Sequence, residues 1–293
     1  MVGSCFSEHI GDKLSYFKFQ TTQNPFGILF HPKAIETLIS RAIDLEQYTD
    51  AEVFFHNDRW HCYDAHSTLS DASKETLLSQ LNSSLSTTRQ DLEDATHMVI
   101  TLGTAWVYIL NESGNVVANC HKVPQREFTK KLLSIRAVVE SLQNMISLIR
   151  SVNATVEIIF TVSPVRHLKD GFVENQRSKA HLIAAVHDVI SHDSQRSHYF
   201  PSYEIMMDEL RDYRFYATDM IHPSTLAIDH IWSRFGHAWI SEAVQDTMKD
   251  VEAIQKGMSH KPFHPDGEQH QQFLRQLEER ERELRQAYPH MKF

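Results

Sequence analysis

Asp219 and His222 stand three residues apart in the stretch YATDMIHPS, a loop-like segment whose Pro223 suits the first position of a following helix. A carboxylate and an imidazole this close in sequence can share one ring nitrogen and leave the other facing a nucleophile, as in a catalytic triad. DxxH alone is common, and a hydrogen-bonded loop histidine satisfies it equally. At the far end of the chain, GSCFSEHIG offers a partner. Glycine, serine and cysteine followed at once by a helix-like segment have the layout of a nucleophile turn, where a strand ends sharply and presents a side chain at a helix start. An ordinary helix N-terminus has the same layout.

Whether these ends meet depends on what lies between them. The 293 residues are 41% hydrophobic and 23% charged, an ordinary globular balance with enough chain for a sizeable core. A net charge of -9 without any long basic block excludes an electrostatic nucleic-acid footprint. Cys5, Cys62 and Cys120 are an odd set at wide spacing, which argues against a disulfide framework and for a reducing compartment. Neither CxxC nor HExxH occurs, so neither a metal site nor a cofactor is expected despite 19 histidines. No apolar run approaches the ~20 residues that cross a bilayer, and no basic-then-apolar leader opens the chain. A cytoplasmic protein without a membrane span is the expectation.

Helical patterns alternate with short apolar runs, as in an α/β domain. SEHIGDKLSYF reads as a helix with Ser7 as candidate N-cap, and HPKAIETLISRAIDL as a stronger one. AEVFFHNDRWHCYDAHS reads as a hairpin turned at HND, and WVYILNESGNVVANCHKV as a second turned at ESGN. THMVITLG and ATVEIIFTVSP have the β-branched character of buried strands. FTKKLLSIRAVVESLQNMISLIRSV reads as one long amphipathic helix, and LAIDHIWSRFGHAWISEAVQDTMKDVEAIQKGM as another. After the loop HKPFHPDG, the charged segment HQQFLRQLEERERELRQAY carries only a sparse apolar stripe of Phe273, Leu274, Leu277 and Leu284. It reads as a helical appendage, a solvated surface helix or else a partner surface. The domain division this suggests is 1–245 and a helical extension 246–293.

GSCF, NPFGILFHP, LGTAWVY, TVSPVRH, FPSYEIMMDELRDYRFY and DMIHP, in that order from Gly3 to Pro223, resemble the GSCFA family, a branch related to the SGNH (GDSL-type) hydrolases. The resemblance implies a flavodoxin-like α/β/α sandwich with a mostly parallel sheet and the site at the carboxyl ends of its strands. It implies Cys5 at the nucleophile position, with Ser4 as the second candidate, and His222 and Asp219 as base and orienting acid. At a helix N-terminus and beside an imidazolium, the Cys5 thiolate would be stabilised. LGTAW keeps Gly103 of the relatives' G-x-N-D block but has Ala105 in place of the oxyanion asparagine, a loss worth roughly 10²–10³ in rate. Thr104, Asn24 and the Gly27 amide are the candidates to replace it; a proline-led turn is the alternative for NPFG. Asp64 and His66 share a strand face and either line the pocket or hold a loop. Arg166, just after a parallel strand, suits an anionic substrate group or else a surface ion pair.

Two functions follow. One is an esterase, thioesterase or O-acyltransferase working through an acyl-enzyme on an acylated small molecule or carbohydrate; the other is an impaired SGNH-like module that binds such a ligand. Only Met1 and Val2 precede Gly3, so the first strand is expected to be truncated, leaving a slot in the sheet with unpaired neighbours on both sides.

Overall fold

Val2 and Gly3 form a two-residue strand, β1, and helix α1 (Cys5–Tyr16) begins two residues later. The computed structural model describes residues 1–193, 195–260 and 267–293. It continues through α2 (Pro32–Asp44), β2 (Val53–His56), β3 (Arg59–Cys62), α3 (Lys74–Asp94), β4 (His97–Leu102), β5 (Trp106–Leu110), β6 (Val116–Val117) and β7 (Phe128–Leu132). Then come α4 (Ile135–Val152), β8 (Glu157–Val162), α5 (Phe172–His192), β9 (Ser197–Phe200), the short α6 (Ser202–Glu204), α7 (Thr225–Trp239), α8 (Gln245–Ser259) and α9 (Glu268–Ala287).

β1, β4, β8 and β9 make a parallel sheet in that order. The α/β class and parallel sheet read from the sequence are those of the structure. Ile100, Leu102, Ile158, Phe160 and Val162 are fully buried, so these strands read as near-continuous apolar runs, as buried parallel strands do. α2 packs on α3 and α4, and α4 on α5, so the crossover helices form a layer whose last member lies on β8 and β9.

The slot expected on both sides of a shortened first strand is absent. Among the described residues β1 is the terminal strand and pairs only with β4, Val2 against Ile100 and Gly3 against Thr101. Its other side is satisfied by the segment that follows α1: Gly3 N donates to Asn24 Oδ1 (3.0 Å), Leu29 N to Gly3 O (2.9 Å) and Asn24 N to Met1 O (2.9 Å). A two-residue strand therefore leaves no unpaired edge of its own.

Both hairpins form as read, with Asn57 and Asp58 at φ 48° and 59° in the first turn. Four readings need correction. Phe128–Leu132 is a third strand beside β5, and α4 starts only after Ser134, whose hydroxyl accepts from Ala137 N. The long helix expected from Leu226 to Met258 is broken between Trp239 and Gln245, and Pro223 lies two residues ahead of α7 rather than at its first position. α1 starts at Cys5, so Ser7 lies within it and does not cap it.

Met1–Glu8 with Thr22–Ile228 form one compact unit, and His9–Thr21 with Asp229–Phe293 a second. In the second, Leu277 and Leu284 of α9 are buried with Val251 and Ile254 of α8. Gly257 makes this approach possible, since a Cβ there would sit 2.5 Å from a Leu277 methyl. Three of the four residues of the α9 stripe, Phe273, Leu277 and Leu284, thus pack with α8. Of the HKPFHPDG loop, residues 261–266 lie outside the described residues.

His31 and His121 hold the first unit together as neutral imidazoles. His31 Nδ1 accepts from Ala34 N at the start of α2 while Nε2 donates to Val117 O (3.0 Å), and His121 Nε2 donates to Cys62 O (2.7 Å). Burial depresses both to about 4. Below the unfolded value near ~6.5 the unfolded chain takes up protons that the native one refuses, so stability falls as pH drops to about 4. Denaturant melts from pH 7 to 4 should lose several kcal/mol, and His31→Gln should flatten that slope; a slope unchanged by the substitution would refute the assignment.

Candidate active site

Ser4 is wholly buried. Its amide donates to Thr101 O (3.0 Å), continuing the β1–β4 ladder, and its hydroxyl accepts from Phe6 N (3.3 Å), so Ser4 caps α1. Cys5 follows as the first helical residue, half-buried, with its own amide and that of Phe6 near enough to favour the thiolate. The thiol nevertheless sits above its ordinary value, because burial first and Glu8 second outweigh Lys179 and the two amides. Burial thus works against the stabilised thiolate expected from the sequence, while Lys179 and the two amides work for it.

Asp219 and His222 do pair. Asp219 Oδ2 accepts from His222 Nδ1 at 2.6 Å, and Oδ1 accepts from the amides of Ile221 (2.9 Å) and His222 (3.0 Å). These bonds, led by the His222 amide and imidazole, lower the carboxyl to about 2. An ionised carboxylate only accepts, so Nδ1 carries the proton of this bond. The loop itself is closed by a bridge between Tyr216 and Pro223 and by Ala217 N donating to His222 O (2.8 Å).

This loop is tied to the end of β8: Arg166 N donates to Ile221 O (3.4 Å), and the guanidinium lies 4.0 Å from the Tyr216 ring centroid. Among the described residues no carboxylate lies within ion-pair distance of Arg166, so the surface-pair reading does not hold. Neighbouring His167 is anchored through its amide on Asn175 Oδ1 (2.8 Å), and its buried Nε2 has no hydrogen-bond partner among the described residues. Burial, then Lys179 and His222, push this imidazole down to about 3.

The oxyanion candidates are committed elsewhere. The amides of Gly103 and Thr104 both donate to Phe30 O (2.8 and 2.9 Å). Thr104 Oγ1 accepts from Trp106 N (3.0 Å) and bonds Ser178 Oγ (2.9 Å), which in turn accepts from Ala105 N (2.7 Å). Gly27 N donates to Asn24 O (2.8 Å), and the Asn24 side chain serves Gly3 N and Glu8 Oε1 (3.4 Å). Asn24 and Gly27 thus shore up the outer edge of β1 beside the Cys5 turn. Asp64 is held by Tyr48 Oη (3.2 Å) and Arg41 (3.8 Å), and His66 caps a short turn through Thr68 N (3.4 Å), so this pair holds a loop.

Reading the sequence missed Lys179. It is wholly buried on α5, and Nζ donates to Gly103 O (2.8 Å) and Ser163 O (2.7 Å), the residues just past β4 and β8. The signal was available: Lys179 falls on the stripe Asn175, Ser178, Leu182, Val186 that α5 buries. No hydrogen bond joins Cys5 to His222 among the described residues.

The sequence profile of the GSCFA family matches residues 1–235. The chain belongs to the GSCFA family. A second profile, that of the GSCFA domain protein, C-terminal domain, matches residues 251–293. No curated protein matches the chain. Among solved structures, an acetyl xylan esterase (Est2A) from the rumen bacterium Butyrivibrio proteoclasticus is similar at 11% identity and a TM-score of 0.29, over 49% of this chain and 37% of its own. The chain thus spans well under half of that structure's length. In this GSCFA protein, GSCF, LGTAW and TVSPVRH fall at the carboxyl ends of β1, β4 and β8, and DMIHP lies on the loop tied to the last of them.

Proposed function

We propose that this GSCFA protein is an acyl hydrolase or acyltransferase in which Cys5 attacks an ester or thioester carbonyl. His222 Nε2 takes the thiol proton and returns it to the leaving group, while Asp219 fixes the ring's tautomer and orientation. The observation that carries this reading is the 2.6 Å Asp219–His222 pair, whose second nitrogen has no partner among the described residues, on a loop bonded to the same sheet end that holds the Cys5 turn. Catalytic hydrogen bonds often close only around substrate, which accommodates the missing Cys5–His222 bond. The raised Cys5 thiol fits a base-assisted nucleophile better than a standing thiolate. Arg166, with no acidic partner among the described residues, suits a substrate carrying an anionic group beside the scissile carbonyl.

A second reading is a binding module that keeps the pocket and has lost turnover. The amides of Gly103 and Thr104 favour it, since both are already bound to Phe30 O. Incubation with short-chain p-nitrophenyl esters, acetylated oligosaccharides and acyl thioesters, followed by mass spectrometry of the N-terminal peptide, separates the two. The enzyme reading expects an acyl adduct on Cys5, absent in Cys5→Ala and weakened in Ser4→Ala. An adduct that persists in Cys5→Ala and vanishes in Ser4→Ala would move the nucleophile to Ser4; binding without any adduct would favour the module.

A further inference from the structure

We propose that Lys179 is the positioning residue of this site, a buried ammonium that ties the carboxyl ends of β4 and β8 together and holds a positive charge beside the Cys5 turn. The inference rests on the reading of Cys5 as the group that ionises.

The geometry is unusual for a lysine. Its relative exposure is 0%, and among the described residues no carboxylate bonds it, so nothing neutralises the charge that burial penalises. What holds it is two main-chain carbonyls, Gly103 O at 2.8 Å and Ser163 O at 2.7 Å. Those carbonyls belong to the two residues that leave adjacent parallel strands, where Ser163 N already donates to Leu102 O (2.8 Å). Ser4 N joins the same end through Thr101 O, two residues before Gly103. One ammonium therefore sits at the point where the chain segments carrying Cys5, Gly103 and His167 leave the sheet. A methionine of similar length would fill the space and leave both carbonyls without their donor.

Lys179 faces Cys5 from α1, His167 from the loop after β8 and the Tyr203 ring at 5.5 Å. Cys5 faces Lys179 and, from its own helix, Glu8. The lysine charge favours the thiolate and opposes Glu8, and by reciprocity the thiolate favours the charged lysine. Burial lowers Lys179 to about 7, and Cys5 raises it.

The test is site-resolved alkylation of Cys5 by iodoacetamide in the full chain, followed by mass spectrometry between pH 6 and 10. Lys179→Met should raise the alkylation midpoint of Cys5 by about one pH unit, a roughly tenfold slower reaction at pH 8, and leave the rate at Cys120 unchanged. Lys179→Gln, which keeps an amide donor and loses the charge, should shift it likewise. A folded Lys179→Met with an unmoved Cys5 midpoint overturns the proposal. Should these variants fail to fold, Cys5→Ser with lysine-selective ¹⁵N NMR supplies the converse: the Lys179 titration should fall once the thiolate is gone, and an unmoved titration overturns the proposal equally. Neither readout needs an acyl substrate. A shifted midpoint without any acyl adduct would leave Lys179 coupled to Cys5 and refute acyl transfer, and an adduct with unmoved midpoints would do the reverse.

Discussion

Gly3→Ala should melt far below the parent, by about 10 °C or more. Gly3 has φ 138°, and a Cβ built there would lie 2.8 Å from both the carbonyl carbon and the nitrogen of Thr101 and closer still to its oxygen. The neighbour is the backbone of β4, which cannot swing aside as a side-chain tip does. Backbone strain of roughly 1–3 kcal/mol adds to an overpacking cost of about the same size, against a total stability of only ~5–15 kcal/mol. Gly114→Ala is the control. Gly114 also has positive φ, at 73°, but nothing lies within 4 Å of its Cβ position, so it should lose only the backbone share. Calorimetric melts of the two variants check this, and equal melting temperatures would show that the β1–β4 approach is not the cause. Cys5 reactivity should change with the first variant only, because Ser4 N on Thr101 O is the next rung of the same ladder.

His222→Ala should reduce acyl turnover by roughly 10²–10⁴ while the melting temperature stays within a degree or two. The side chains of His222 and Asp219 are 44% and 45% exposed, and the loop's closing bonds, Ala217 N to His222 O and the Tyr216–Pro223 bridge, use backbone that alanine retains. Asp219→Asn should also slow the reaction, because an amide can present a donor to Nδ1 and turn the wrong nitrogen outward. The carboxyl is lowered to about 2, below its unfolded value near ~3.9, so its contribution to stability is complete above pH 4 and fades as pH falls through about 2. An activity limb in the mildly acidic range therefore belongs to another group. Full activity in His222→Ala, or a melt that collapses with it, would return the histidine to a purely local role.

Much of this was legible in the sequence because it is local. The buried strands announced themselves as β-branched runs, the hairpins by HND and ESGN between alternating residues, and the Asp219–His222 pair by its spacing. β7 was misread because Phe128, Leu132 and Leu133 recur at helical spacing and run into a true helix; only the Ser134 cap marks the change. The fate of the oxyanion candidates was hidden for another reason. Whether the Gly103 and Thr104 amides are available depends on Phe30 O, and whether Asn24 is available depends on Gly3 and Glu8. These are tertiary hydrogen bonds with no spacing signature. Lys179 lay between: its place on the apolar stripe of α5 was visible, but its two carbonyl partners are known only once β4 and β8 lie side by side.

The bonds that fix the Cys5 turn reach far along the chain. Gly3 pairs with Thr101, and the outer edge of β1 waits for Asn24 and Leu29. Two strand residues nucleate nothing by themselves, and contacts of this sequence separation form only after loop-closure entropy has been overcome. The turn is therefore expected to dock after β4 and β8 have paired, since Gly3 and Thr101 lie farther apart in sequence than those two strands do. A refolding chain should regain its α4 and α5 helices and bury its strand pair before Cys5 acquires native reactivity, so the thiol is a clock for the last step of assembly.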